Sequence, residues 1–541
     1  MFMSVKNKYT PLFALVEDVF CKFSPGDSLK FGIWRMLTSG VKGKLMMGWG
    51  QTGLRLWRPC ILSLVLLAGC AVGPDFVRPK PPPVERYTHG AAPTTTIEAD
   101  GLTQRFDLGG KIAADWWQLF KSATLNTVVR EAISGNLSLQ AAQAKLRQSQ
   151  ANLQAGYGIF YPQVDVGFSP GRQQFSSAKF GGTSSPTIFN LYTISTTVSY
   201  TLDVFGGERR AVESLQAQKD LQHYTELATY LTLTGNITNT VIAGAAYRAE
   251  IEATEQLISI LQKQIKITEN QVTAGTVPYL NVLSLRSQLA SVEATLPPLK
   301  QKLSQTEHLQ ANLVGLTPAD WNPTDVSLAE LTLPTDIPVS LPSELVHQRP
   351  DILSAEAQLH SDSAKIGVAT AGLFPNISLT GSYGYNNQSL LDLFVSRGNI
   401  WSMAANFAQP LFHGGTLWFN RKAAIETYQT SLATYRQTVV SAFAQVADTL
   451  KALEHDAEAL AAQRQSLNAA EESLRLVNAN YQAGLVNYLQ VLTVNSQYQQ
   501  ARIGYLAFSA QRFQDTVAFF VALGGGWWNT EKNTLDAHKE R

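Results

Sequence analysis

Ala274-Gly275-Thr276-Val277-Pro278-Tyr279-Leu280-Asn281-Val282-Leu283 recurs, 209 positions on, as Ala483-Gly484-Leu485-Val486-Asn487-Tyr488-Leu489-Gln490-Val491-Leu492. At nearly the same offset Val204-Phe205-Gly206-Gly207 is echoed by Phe412-His413-Gly414-Gly415, and Phe160-Tyr161-Pro162 by Leu373-Phe374-Pro375. Three matches in one order read as a tandem repeat. Each half is expected to run through a helix of about 25 residues, two strands, a very long helix, a sharp turn and a second long helix.

Between these motifs the apolar spacing is helical. Val439, Phe443, Val446, Leu450, Leu453, Ala457 and Leu460 alternate steps of four and three, as do Leu285, Leu289, Val292, Leu296, Leu299 and Leu303, the spacing of a coiled-coil seam. No proline falls between Glu208 and Ala274, and a continuous helix there reaches on the order of 100 Å. Pro297-Pro298 interrupts the first seam, so the returning helix should bend or break there. The seams alone fit a rod-like structural coiled coil.

The strands argue against a plain rod. Tyr192, Ile194, Thr196, Val198, Tyr200 and Leu202 give one side of a strand a mostly apolar row, while Thr193, Ser195, Thr197, Ser199 and Thr201 give the other small polar groups. Val164, Val166 and Phe168 start a similar pattern, as do Ile377, Leu379, Tyr383 and Tyr385, and then Trp401, Met403, Ala405 and Phe407. The spans are near the roughly 9–11 residues that a tilted strand needs to cross a bilayer. Four strands cannot sit in lipid alone, because the two sheet edges would leave backbone groups unpaired at several kcal/mol each. The sheet must close across chains, and roughly eight, twelve or sixteen strands from two, three or four copies satisfy that requirement equally.

The start of the chain reads as an address. Arg55 and Arg58 precede the apolar run Ile61 to Leu67, followed by Leu67-Ala68-Gly69-Cys70; a basic flank, a short apolar stretch and small residues describe a secretory signal. The run is too short to span a membrane. Leu-Ala-Gly-Cys resembles the bacterial lipobox, which makes Cys70 the lipidated first residue of the mature protein. Residue 71 is alanine, and in the resembling lipoproteins the lack of an aspartate there favours the outer membrane. The first 45 residues have no assigned role, and a start at Met46 or Met47 would leave a signal of ordinary length.

The remaining composition narrows the function. The formal net charge is +1, which argues against a nucleic-acid partner. Charged residues make up 16%, below the roughly 25% of an ordinary soluble domain. All three cysteines, Cys21, Cys60 and Cys70, lie in the first seventy positions, so the rest of the chain can form no internal disulfide. The histidines lack metal-ligand spacing, and neither a phosphate-cradling glycine loop nor a serine elbow occurs. No catalytic residue and no metal site are expected, and no cofactor beyond the diacylglycerol and N-acyl chain on Cys70.

Cys70-Ala71-Val72-Gly73-Pro74-Asp75-Phe76, Asp115-Trp116-Trp117, Gly315-Leu316-Thr317-Pro318, Arg349-Pro350-Asp351-Ile352 and both Ala-Gly turns together resemble the TolC-like outer-membrane efflux proteins, in the lipoprotein (NodT/OprM-like) branch of RND-type efflux systems. The resemblance implies an α+β membrane protein: a homotrimer whose twelve-stranded β-barrel is continuous with a twelve-helix periplasmic α-barrel. It further implies a periplasmic membrane-fusion (adaptor) protein and an inner-membrane RND-type pump as partners, with drugs or other small molecules as cargo. Type I secretion of polypeptides is the alternative, and a structural envelope lipoprotein without a pore the third reading.

The expected organisation is a signal with over-extended start over 1–69, a lipidated segment over 70–114, a first efflux repeat over 115–314, an irregular equatorial connector over 315–345, a second repeat over 346–524 and a flexible tail over 525–541. Gly275 and Gly484 sit just past long helices, where glycine takes a left-handed cap conformation at little cost. The resemblance makes Gly275, Thr276, Val277, Gly484, Leu485 and Val486 the adaptor-contacting tips. In the best-known members aspartates just after the second tip narrow the entrance. Aligning the glycines puts Gln490 and Thr493 at those positions, with Asn281 and Ser284 in the first hairpin, so an uncharged polar entrance is expected.

Overall fold

The computed structural model describes residues 71–89, 94–176, 181, 183, 185–323 and 325–529, all within the unit Gly69–Arg541. The proposed signal, its early start and the lipidation residue Cys70 lie outside the described residues.

In chain order the elements are β1 (Arg105–Leu108), α1 (Ala123–Gly135), α2 (Leu137–Tyr157), β2 (Gln163–Phe175), β3 (Thr187–Leu202), α3 (Gly207–Thr273), α4 (Tyr279–Glu293), α5 (Leu296–Val314), β4 (Asp336–Val339), α6 (Pro342–Gln348), α7 (Pro350–Ala371), β5 (Asn376–Asn387), β6 (Asn399–Ala408), α8 (Thr416–Gln482) and α9 (Tyr488–Ala522). The long helices α3 and α8 each run for 67 residues, on the order of 100 Å.

Each long helix is paired with a returning one. Val439, Val446, Leu450, Leu453, Ala457 and Leu460 are buried along α8, and Leu285, Leu289, Val292, Leu296, Leu299 and Leu303 are half-buried along α4 and α5, which pack on α3. Ion pairs stitch that first hairpin: Arg248–Glu307 at 2.8 Å, Glu255–Lys300 at 2.8 Å and Glu269–Arg286 at 2.7 Å. The returning helix breaks at Ala294–Thr295, since Pro297 and Pro298 lack the N–H groups that would bond the Glu293 and Ala294 carbonyls. Its counterpart α9 is continuous over 35 residues.

The main core gathers where the N-terminal segment, the connector, the middles of α3 and α8 and the C-terminal part of α9 meet. Trp116, Phe120, Phe519 and Phe520 are fully buried there, with Trp116 stacked on Phe520 at 5.4 Å. Arg349 ties three elements to this belt: its guanidinium donates to Asp351 on α7, to Gln445 on α8 and to the Ala522 carbonyl closing α9, a cation at a helix C-terminus.

Three local expectations need correction. The single helix ahead of the first strands is two, because Asn136 ends α1 and its side chain accepts from Leu139 N–H to start α2. The connector over 315–345 is not irregular throughout: β4 within it pairs in parallel with β1, Phe106 opposite Ile337. The tail is held in its first residues, where the Trp527 indole donates to the Gln348 carbonyl at 2.8 Å and the Asn529 amide donates to the Ile112 carbonyl. Residues 530–541 lie outside the described ones.

Candidate functional site: the duct faces and the hairpin tips

The four long strands form one antiparallel sheet in the order β2-β3-β5-β6. Its register sorts side chains by polarity. One face carries Asp165, Ser169, Thr193, Ser195, Thr197, Ser199, Ser378, Thr380, Ser382, Ser402 and Asn406; the opposite face carries Val164, Val166, Phe168, Ile194, Val198, Tyr200, Leu379, Tyr383, Trp401, Met403 and Phe407. Trp401, Met403 and Phe407 are 71%, 83% and 68% exposed, so this apolar row is left uncovered by the described residues. The outer edges of β2 and β6 have no strand partner among the described residues. The strands are 13, 16, 12 and 10 residues long, enough for a tilted bilayer crossing.

The hairpins end in two turns of one geometry. After α3, Gly275 takes φ +73° and donates its N–H to Val272 at 2.9 Å, while Thr276 N–H reaches Gln271 at 2.9 Å. After α8, Gly484 takes φ +75° and donates to Tyr481 at 3.0 Å, with Leu485 N–H on Asn480 at 2.8 Å. This pair of crossed bonds is the Schellman closure, which satisfies carbonyls that the helix end would otherwise leave open.

The returning helices start differently. The Asn487 side chain accepts from Gln490 N–H at 3.0 Å to cap α9, whereas Pro278 at the corresponding position offers no side-chain cap. Gly275, Thr276, Gly484 and Leu485 are exposed, and Val277 and Val486 half-buried. Leu280, not singled out by the sequence reading, is 68% exposed beside the first tip, and Leu485 is 74% exposed at the second. The apolar character of Leu280 and its position two residues beyond Pro278 were the available signal.

Asn281 and Ser284 are exposed one helical turn apart on α4, as are Gln490 and Thr493 on α9. From Leu476 through Ala501 the chain carries no charged residue, so the second tip and the following turns are neutral. Carboxylates occur farther along this hairpin. Burial, with Asp515 on α9 as hydrogen-bond partner and neighbouring charge, pushes the Asp456 carboxyl on α8 up to about 8, against the opposing pull of Arg512. Arg512 is itself 1% exposed and donates to Gln104 and to the Ala99 carbonyl. Among the described residues no group of three or more His, Cys, Asp or Glu side chains converges as metal ligands, and no helix is long and apolar enough to cross a membrane.

A sheet with one apolar and one hydroxyl-lined face, joined to helices of this length with closed tips, defines an outer-membrane export channel. The chain belongs to the outer membrane efflux protein family, which it matches over residues 128–315 and 341–525. It is 27% identical to the pyoverdine export outer membrane protein OpmQ of Pseudomonas putida, over 86% of this chain and 97% of that protein. It is also 27% identical to the cation efflux system protein CusC of Escherichia coli, over 85% and 96%. The crystal structure of the open-state MtrE outer membrane channel of Neisseria gonorrhoeae superposes with a TM-score of 0.68 at 25% identity, covering 85% of this chain and 99% of that one. The fold class is thus that of the TolC-like channels, mixed helix and sheet, and its location is the outer membrane.

Proposed function

We propose that three copies of this chain close a twelve-stranded barrel in the outer membrane, continuous with a periplasmic tunnel of twelve helices, through which small molecules leave the cell passively. The observation that carries this reading is the four-stranded sheet with faces of opposite polarity and two unpaired edges. Only closure across copies lets such a sheet enter hydrocarbon with every backbone group bonded. A tandem duplication accounts for two long hairpins on one chain, supported by equal 67-residue helices and by a family match in two segments.

Energy then comes from an inner-membrane RND-type pump, coupled through a periplasmic adaptor seated on the tips around Gly275 and Gly484. The chain is a conduit and not an enzyme, with lipid on Cys70 as a second anchor. The relatives are named for export of pyoverdine, of cations and of solvents, which favours small-molecule cargo over polypeptide secretion. The test is the mass and conductance of the purified protein. A three-copy particle giving stable conductance steps in planar bilayers is expected; a monomer, or a trimer without conductance, would overturn the proposal.

A further inference from the structure

Among the residues of the four strands, one ionisable side chain stands on the hydroxyl face: Asp165 of β2. The other charged strand residue, Arg172, is seven positions on and belongs to the opposite face, with Val164, Val166 and Phe168. Asp165 lies in register with Thr197 of β3, which pairs with Ser382 of β5, which pairs with Ser402 of β6. The last two hydroxyls are hydrogen-bonded at 2.8 Å. One carboxylate therefore sits at the end of a row of three hydroxyls crossing the sheet. The same face elsewhere offers Ser, Thr, Asn, Gln, Gly and a few apolar groups.

We propose that Asp165 is a specificity-determining residue of the duct, its three copies forming a carboxylate ring that admits cationic and uncharged small molecules more readily than anionic ones. The inference rests on the trimeric-barrel reading, because threefold symmetry is what sets the carboxylates at one level. Twelve strands spaced about 4.8 Å apart and tilted about 40° enclose a barrel of radius ~12 Å to the backbone. The screening length at physiological salt is about 8 Å. Side chains projecting inward therefore leave little of the cross-section outside the ring's field, and low-dielectric barrel walls focus it further. With hydroxyls as its neighbours, the ring has no cation on its own face of the sheet to neutralise it.

The tips form a distant constriction that can dominate whole-channel selectivity, so the readout must be local. Thr197→Cys places a thiol beside Asp165, and Cys70, in the acylated mature chain, leaves no competing free thiol. In the purified full-length trimer, its modification rates by a cationic and an anionic membrane-impermeant thiol reagent are compared, with Asp165 intact and with Asp165→Asn. The cationic reagent is expected to be favoured several-fold, and the preference to shrink towards unity in Asp165→Asn while Asp165→Glu retains it. An unchanged preference in Asp165→Asn overturns the ring. Reaction at Val198→Cys but not at Thr197→Cys overturns instead the assignment of the hydroxyl face to the lumen, and with it the barrel reading.

Discussion

Gly73 lies against Gly367 so closely that a Cβ on Gly73 would come within 2.5 Å of the Gly367 Cα. This approach seats residues 71–78 along α3 and α7. Val72 N–H donates to the Phe205 carbonyl at 2.9 Å. The Arg210 guanidinium bridges Asp75 at 2.5 Å and Glu213 at 2.7 Å, Phe76 stacks on His360 at 4.4 Å, and Arg78 pairs with Glu356 at 2.5 Å. Gly73→Ala should lift this strap at a cost of about 1–3 kcal/mol, since its Cβ would run into the Gly367 backbone and its φ of +95° is strained for an L side chain, while α3 and α7 beneath keep their own residues. Limited proteolysis should then cut near residues 71–85 many times faster than in the parent, with the trimer band retained. An unchanged cleavage rate would show that the strap does not depend on this contact.

Cys70→Ser is expected to abolish lipidation and leave assembly intact. The acyl chains on Cys70 would be a second anchor, because a closed barrel already satisfies all its backbone groups within the bilayer without them. Labelled fatty acid still attached to the variant would refute the lipobox assignment.

At the tips, the most exposed apolar side chains rather than the glycines should carry adaptor contact. Leu280→Asp and Leu485→Asp should reduce export by tenfold or more, corresponding to about 1.4 kcal/mol of lost association, with folded trimer unchanged. Val277→Asp and Val486→Asp, at half-buried positions, should also impair export but loosen the turns themselves. Full drug resistance and unchanged adaptor cross-linking in all four variants would rule out the tips as the contact.

The absence of charge from Leu476 through Ala501 predicts an entrance held by packing and hydrogen bonds. Trivalent cations added at the periplasmic side should block conductance weakly. High-affinity block that disappears on removing a single carboxylate near the tips would contradict this.

Stability should respond to pH through Asp456. Its carboxyl is raised from 3.8 to about 8 in the folded protein, so across that window the folded chain holds a proton that the unfolded chain has released. Stability contributed by this group is present below the unfolded value and is lost as pH rises towards 8. Asp456→Asn should flatten the decline and raise the thermal dissociation temperature of the trimer by a few degrees at the upper end. A parallel decline in parent and variant would assign the pH dependence elsewhere.

Long-range order was legible in the sequence where it is periodic. The seam from Val439 to Leu460 announces itself because burial on one helix face recurs every three to four residues, and the alternation from Tyr192 to Leu202 does so because a sheet has two faces. The tips were legible through glycine followed by a helix start. Elements without a period were missed: four residues at Arg105–Leu108 pair with four at Asp336–Val339 across more than two hundred positions, and such short strands carry no pattern. The Asp456, Asp515 and Arg512 grouping was equally silent, since its members meet only because α8 and α9 lie side by side. Asp165 was visible as a residue, but its isolation on one face required the register of all four strands.

The broken and the continuous returning helix have a mechanical consequence. The second hairpin is a pair of unbroken struts, while the first has a joint at Ala294–Thr295, where two prolines withhold the hydrogen bonds that stiffen a helix against bending. A load at the tips would meet two unbroken helices in the second hairpin, whereas in the first only α3 is unbroken and the returning member would yield most readily by bending at its joint. In the proposed assembly of three, hairpins with and without a jointed returning helix would alternate around the circumference, so dilation of the end would flex three returning helices more readily than the other three.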